Sequence, residues 1–139
     1  AFLVPFTLDE STTIVKLWIH NGTVAGNVDV GIYNSSFARQ VSSGSVAQSG
    51  AANIQEFDIA DTTLAAGRYY VAFAGDTGAG QQVFASGDSA GTAFNVGTMK
   101  WLGVALMAAA FPLPATITPT VALAGRVFSI GYSTRTLVA

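Results

Sequence analysis

The sequence predicts an all-β fold, an antiparallel β-sandwich that is jelly-roll-like with about eight strands. Three observations predict it. Short segments alternate apolar and polar residues with a period of two, the mark of a sheet with one face on a core. Fifteen glycines and dipeptides such as Asn21-Gly22 punctuate those segments with turn chemistry. Helix-friendly stretches are brief and are stopped by proline.

Taken in order, Asp9-Glu10 reads as the loop between the first two strands. Thr12 to His20 sets Val15, Leu17 and Ile19 on one face against Lys16, Trp18 and His20 on the other. Asn27 to Asn34 alternates more cleanly, with Val28, Val30 and Ile32 inward and Asp29, Gly31 and Tyr33 outward. Ile54 to Ile59 carries a weaker form of the pattern. Asp61 to Ala66 reads as one short helical turn capped by Asp61. Beyond Ala66-Gly67, Arg68 to Ala74 alternates Tyr69, Val71 and Phe73 against Tyr70, Ala72 and Ala74. Gly75 to Gly97 is a glycine-rich excursion with a short strand at Gln82 to Ala85. Met99 to Met107 is a strand, Phe111-Pro112-Leu113-Pro114 an extended connection across a sandwich edge, and Val127 to Tyr132 the last strand. No composition break divides the 139 residues, so they read as a single domain. Residues 1–8 and 133–139 read as connections to neighbouring subunits.

Charge is scarce: 10% of residues are Asp, Glu, Lys or Arg, against roughly 25% in an ordinary soluble domain. Mean hydropathy is +0.47, yet no apolar run reaches the roughly 18 residues of a membrane span. So few charges cannot cover a small domain, and apolar area is expected to be buried by other subunits. The six basic residues are scattered in a chain of net charge −2. That excludes the clustered basic face of a nucleic-acid binder. With no cysteine, disulfides, thiolate chemistry and cysteine-ligated zinc are excluded. No signal-peptide pattern is visible.

Groups for chemistry are few. His20 is the only histidine, and no serine sits in a Gly-x-Ser-x-Gly elbow that would pair with it. The carboxylates Asp9, Glu10, Asp29, Glu56, Asp58, Asp61, Asp76 and Asp88 include no pair required to converge for glycoside hydrolysis. Asp76 and Asp88 lack calcium-loop spacing. Gly75, Gly78 and Gly80 lack the Lys-Ser/Thr and helix start of a phosphate loop, so turn formation accounts for them. No catalytic residue, metal or cofactor is expected, and the chain does not read as an enzyme. The remaining candidates are aromatic. Trp18, His20, Tyr33 and Trp101 are the candidate ligand-binding residues, with Tyr69 and Tyr70 on a neighbouring strand. Exposed rings on a sheet stack on sugars or bury themselves against another subunit.

Asn27 to Asn34, then Ser35-Ser36-Phe37-Ala38-Arg39 and Val41 to Gly44, form one recognisable series. Phe57 to Ala72, with Leu64-Ala65-Ala66-Gly67-Arg68-Tyr69-Tyr70-Val71-Ala72 at its end, and Phe111-Pro112-Leu113-Pro114-Ala115 form two more. Together they resemble the small jelly-roll domains of tailed-bacteriophage structural proteins: tail fibres, tail tips and head-attached fibres or decorations. The resemblance runs from Phe2 to Tyr132 and departs most in Gly75 to Gly97. It implies a virion protein that binds copies of itself, with a trimer favoured, and other virion proteins. A host-surface glycan is a further partner, while nucleic acid and membrane insertion are not expected. It carries no catalytic or ligand motif to these positions. The alternative is a carbohydrate-binding module using the exposed aromatics.

Overall fold

The computed structural model describes residues 1–77, 84–86, 104–106, 110–119, 121–123 and 126–134. Among them the strands are β1 (Phe2–Leu8), β2 (Thr12–His20), β3 (Asn27–Asn34), β4 (Arg39–Ser42), β5 (Val46–Ala47) and β6 (Ile54–Leu64). They continue with β7 (Gly67–Gly75), β8 (Phe84–Ser86), β9 (Val104–Leu106), β10 (Val121–Leu123), β11 (Arg126–Phe128) and β12 (Ile130–Thr134). A large sheet runs β10-β9-β1-β7-β3-β4 with β5 also on β3, a small sheet runs β12-β2-β6, and β11 pairs with β8. Every pairing between these strands is antiparallel. β1, β2 and β3 alternate between the two main sheets, as do β6 and β7, so successive connections close the two layers over one core. The fold class is the all-β antiparallel sandwich that the alternation predicts.

Alternation decides what enters that core. Val28, Val30 and Ile32 of β3 and Tyr69, Val71 and Phe73 of β7 face Ile14, Leu17 and Ile19 of β2 and Phe57 and Leu64 of β6. Each such aliphatic burial stabilises by about 1.5–3 kcal/mol. Phe2, Phe73 and Phe128 form an aromatic triad, with ring centroids 4.8–5.1 Å apart. Phe6 stacks between Tyr69 and Tyr132. Burial holds the Tyr132 phenol above its ordinary pKa.

Four sequence expectations are corrected. The core residue at the start of β2 is Ile14, 0% exposed, rather than Val15. A register shift between Ile14 and Lys16, against both β6 and β12, resets the alternation as bulges do. Asp61 to Leu64 continues β6 instead of forming a helical turn. Thr62 and Thr63 pair with Ile14 and Thr13, where β-branched side chains suit a strand. Residues 2–8 are no connecting segment: β1 lies inside the large sheet, paired with β7 along its whole length and with β9 at Phe2 and Leu3. Finally, Phe111 to Ile117 does not cross a sandwich edge but lies over the outer face of the large sheet.

That last placement creates a second apolar cluster. Leu113 and Ile117 pack with Leu3, Tyr33, Ala72 and Ala74, bordered by Phe37, Tyr70 and Phe111. Leu106 and Val121 are paired, so the chain leaves β9, passes over β1, β7 and β3, and returns to β10. It is a strap tied at one edge of the sheet and docked near the other. Of the strands expected at Gln82 to Ala85 and Met99 to Met107, the described residues form β8 (Phe84–Ser86) and β9 (Val104–Leu106), and residues 82–83, 99–103 and 107 lie outside them. The strand expected over Val127 to Tyr132 is divided at Ser129 between β11 on β8 and β12 on β2. The rest of Gly75 to Gly97 beyond Thr77, and residues 135–139, lie outside the described residues.

Candidate functional site

The outer face of the small sheet holds two of the expected residues. Trp18 and His20 project from β2 on the side opposite Leu17 and Ile19, and each is half-buried. Trp18 stands between Glu56 and Gly131 in register. Its indole lies across Gly131, where a Cβ would come within 2.5 Å of Trp18 Cζ2. The missing side chain on the edge strand β12 therefore makes the seat for the ring. Lys16 Nζ lies 3.0 Å from Glu56 and 3.8 Å from Asp58. The Glu56 hydrogen bond, then the two carboxylate charges, raise the Lys16 pKa. This pair is solvated and contributes little to stability. His20 stands opposite Ile54 in register.

Tyr33 belongs to the opposite layer. It points away from the main core, as the alternation predicts, but it is 0% exposed because the strap covers it. Its hydroxyl donates to the Pro114 carbonyl at 2.6 Å. Burial drives its pKa well above the ordinary phenol value, opposed by the Arg39 charge and reinforced by Asp29. Tyr33 is thus closed to a stacking ligand. Beside it Asp29, 1% exposed, accepts the Leu113 N–H at 2.9 Å and the Ser43 hydroxyl at 3.4 Å. The Arg39 guanidinium donates to the Leu113 carbonyl, and the Arg39 and Ile117 N–H groups donate to Ala115 and Phe37 carbonyls. Trp101, the fourth expected residue, lies outside the described residues. The aromatic set is therefore split: Trp18 and His20 share one face, and Tyr33 is enclosed on the other sheet.

A third region emerges only from the structure. Val46 (36% exposed) and Ile54 (54% exposed) are the large hydrophobic residues left open among those described, and Ala47, Ala51 and Ala52 around them are exposed too. The uncharged segment between them, the rim, is tied by side-chain hydrogen bonds. Buried Asn21 donates to the Ser49 carbonyl and to Gln55 Oε1, and accepts from Gln48. Gln55 in turn donates to the Ala47 carbonyl. The sequence signal for this rim was available: no charged residue stands between Arg39 and Glu56.

A cleft of about 470 Å³ is lined by Pro5, Phe6, Thr7, Asp9 and Arg68, with the Arg68 guanidinium 5.6 Å from the Tyr70 ring centre. Its lining offers one carboxylate and one guanidinium. Among the described residues no group of three or more His, Asp or Glu side chains converges on a metal-sized space. The groups gathered on these surfaces suit packing and ring stacking. Compared with models of known protein families, with curated proteins and with solved structures, the chain has no significant match.

Proposed function

We propose that the chain is a structural subunit of a virion, of the fibre, tail or capsid-decoration kind, that acts by packing against copies of itself and neighbouring virion proteins. The observation that carries this reading is the uncharged rim. Val46 and Ile54 stand open on a stretch without charge, beside β6, an edge strand of the small sheet. Exposed apolar side chains at the two ends of a tied, uncharged loop, in a chain with few charges overall, suit a surface buried in an assembly. The particle itself is suggested by the resemblance carried in Asn27 to Gly44, Phe57 to Ala72 and Phe111 to Ala115. Light scattering on the purified chain tests the packing. An oligomer is expected, a trimer being favoured, and Val46→Lys with Ile54→Lys should release monomers without lowering thermal stability. A native chain that stays monomeric at high concentration and has no affinity for virion proteins contradicts the reading.

One observation favours carbohydrate binding as the second reading. The Trp18 indole lies across Gly131 with Glu56 alongside, giving an aromatic surface with a hydrogen-bond acceptor at its edge. Glycan-array signal lost in Trp18→Ala supports it, and signal unchanged in that variant rejects it.

A further inference from the structure

We infer that Asn21-Gly22 is a deamidation site held shut by the fold: the side chains of Gln48 and Gln55 keep Asn21 from reacting, and the acid formed once they let go unties the rim. The inference stands whether or not the rim packs in an assembly.

Asn21-Gly22 is the only Asn-Gly pair in the chain. Deamidation of an asparagine begins when the next main-chain nitrogen attacks the side-chain carbon Cγ. Glycine, with no Cβ, leaves that nitrogen least hindered and its backbone freest to approach. The bond from Gly22 N to Cγ forms, the Cγ–Nδ2 bond breaks, and the amide nitrogen leaves as ammonia with the Gly22 N–H proton. Water then opens the succinimide. Attack at Cγ gives aspartate, and attack at the Asn21 main-chain carbonyl gives isoaspartate, whose backbone runs through Cγ. One asparagine and one water thus become an acid and ammonia, with no other reactant.

In the folded chain every polar atom of the Asn21 side chain is engaged, and the residue is 0% exposed. Nδ2 donates to the Ser49 carbonyl at 2.6 Å and to Gln55 Oε1 at 3.0 Å, while Oδ1 accepts from Gln48 Nε2 at 2.7 Å. Both glutamines are themselves fixed. Gln48 Oε1 takes the Ala25 N–H at 3.1 Å, and Gln55 takes the Ser49 N–H at 2.9 Å while donating to the Ala47 carbonyl. The Asn21 N–H and the Gly22 carbonyl bond Asn53 and Ala52. Ring closure needs Cγ brought in line with the Gly22 nitrogen and made tetrahedral. An amide pinned at three points resists both, so the reaction runs through an opened rim.

The product does not fit the same seat. A carboxylate at position 21 has no N–H to offer, and it meets the Ser49 carbonyl and Gln55 Oε1 as acceptor against acceptor. One donor, Gln48 Nε2, remains for a buried charge, which is too little. The isoaspartate form also lengthens the backbone by one carbon between the bonds to Asn53 and Ala52. Either way the segment from Gln48 to Gln55 loses its central tie, and the change is one-way.

The whole chain, folded and in urea at neutral pH, is followed by peptide mass mapping for the amide-to-acid gain at Asn21. Three hydrogen bonds of ordinary net strength hold the site, so the folded chain should react about a hundredfold more slowly than the unfolded one. Gln48→Met, close in shape but without the donor, should react about fivefold faster than the native fold. Gly22→Ala should suppress the gain in urea. Asn21→Asp should lose amide protection at Ser49 while Val30 and Val71 keep theirs, and those two amides also verify that each variant is folded. Equal rates for folded and unfolded native chain, a measurement that needs no variant, overturn the inference. So does folded Gln48→Met reacting no faster than native, a gain in urea undiminished by Gly22→Ala, or Ser49 protected in Asn21→Asp as in the native chain. The packing role is judged separately, by the light scattering above.

Discussion

The outer faces of the two sheets were built from the same alternation and ended differently. On the large sheet the outward residues of β3 and β7 are Asp29, Gly31 and Tyr33, and Tyr70, Ala72 and Ala74. Four of them are buried side chains and Gly31 is a notch, all under the strap. On the small sheet the outward residues of β2 and β6 are Lys16, Trp18 and His20, and Ile54, Glu56 and Asp58, which stay half-buried or exposed. The difference lies in size and charge. Alanines and a glycine leave room for a covering segment at close approach, while Lys16, Glu56 and Asp58 keep their charges in water. Scarce charge therefore has two answers in this molecule: part of the apolar exterior is covered by the chain itself, and part is left on the rim.

That contrast can be broken most sharply at Leu113. Its replacement by Ala should cost about 2–5 kcal/mol in urea unfolding, the range for a buried leucine. Trp18→Ala on the open face should cost about 1 kcal/mol or less. Equal losses on the two faces would erase the distinction. Next, Gly31→Val should destabilise by about 1–3 kcal/mol, because overpacking must displace Leu113 or the Val41 carbonyl. A neutral result would mean that the strap docks more loosely than the notch implies.

Tyr33→Phe, which removes the hydrogen bond to Pro114, should lose about 1 kcal/mol at neutral pH. It also separates a pH effect. The folded state holds the Tyr33 phenol neutral above its ordinary value. Its contribution is complete below pH about 10 and is lost as pH rises from there towards the folded-state value. Unfolding free energy should fall across that alkaline range, and the fall should flatten in Tyr33→Phe, with Tyr132 retaining part of the slope. An unchanged slope would show that Tyr33 is not shielded by the strap. The smallest effect is expected at the exposed pair. Lys16→Met should leave the urea midpoint unchanged in both low and high salt, since the solvated pair is screened already.

Much of the sandwich was legible because period-two alternation survives wherever one face meets the core, as at Val28-Val30-Ile32 and Tyr69-Val71-Phe73. It failed at Ile14, where a bulge shifts the phase without leaving a residue-type signature. It also failed at Asp61 to Leu64, where the partner strand β2 outweighed a capping pattern. The covered face was not legible. Outward Asp29 and Tyr33 look like solvent-facing residues until a segment some 80 residues away in sequence supplies an N–H and a carbonyl. Long-range pairing of that kind leaves no periodicity. The uncharged stretch was readable in the sequence, yet only the fold shows that Val46 and Ile54 at its two ends stay exposed.

Amide hydrogen exchange at Leu113, Arg39 and Ile117, measured against Gly50 and Ala51 in an exposed loop, tests most directly whether the strap belongs to the folded body. If the strap closes a second core, those three amides exchange only with global unfolding, at protection comparable to Val30 and Val71. Exchange as fast as at Gly50 and Ala51 would mean that the large sheet's outer face is open, and the account of how this charge-poor chain covers itself would be wrong.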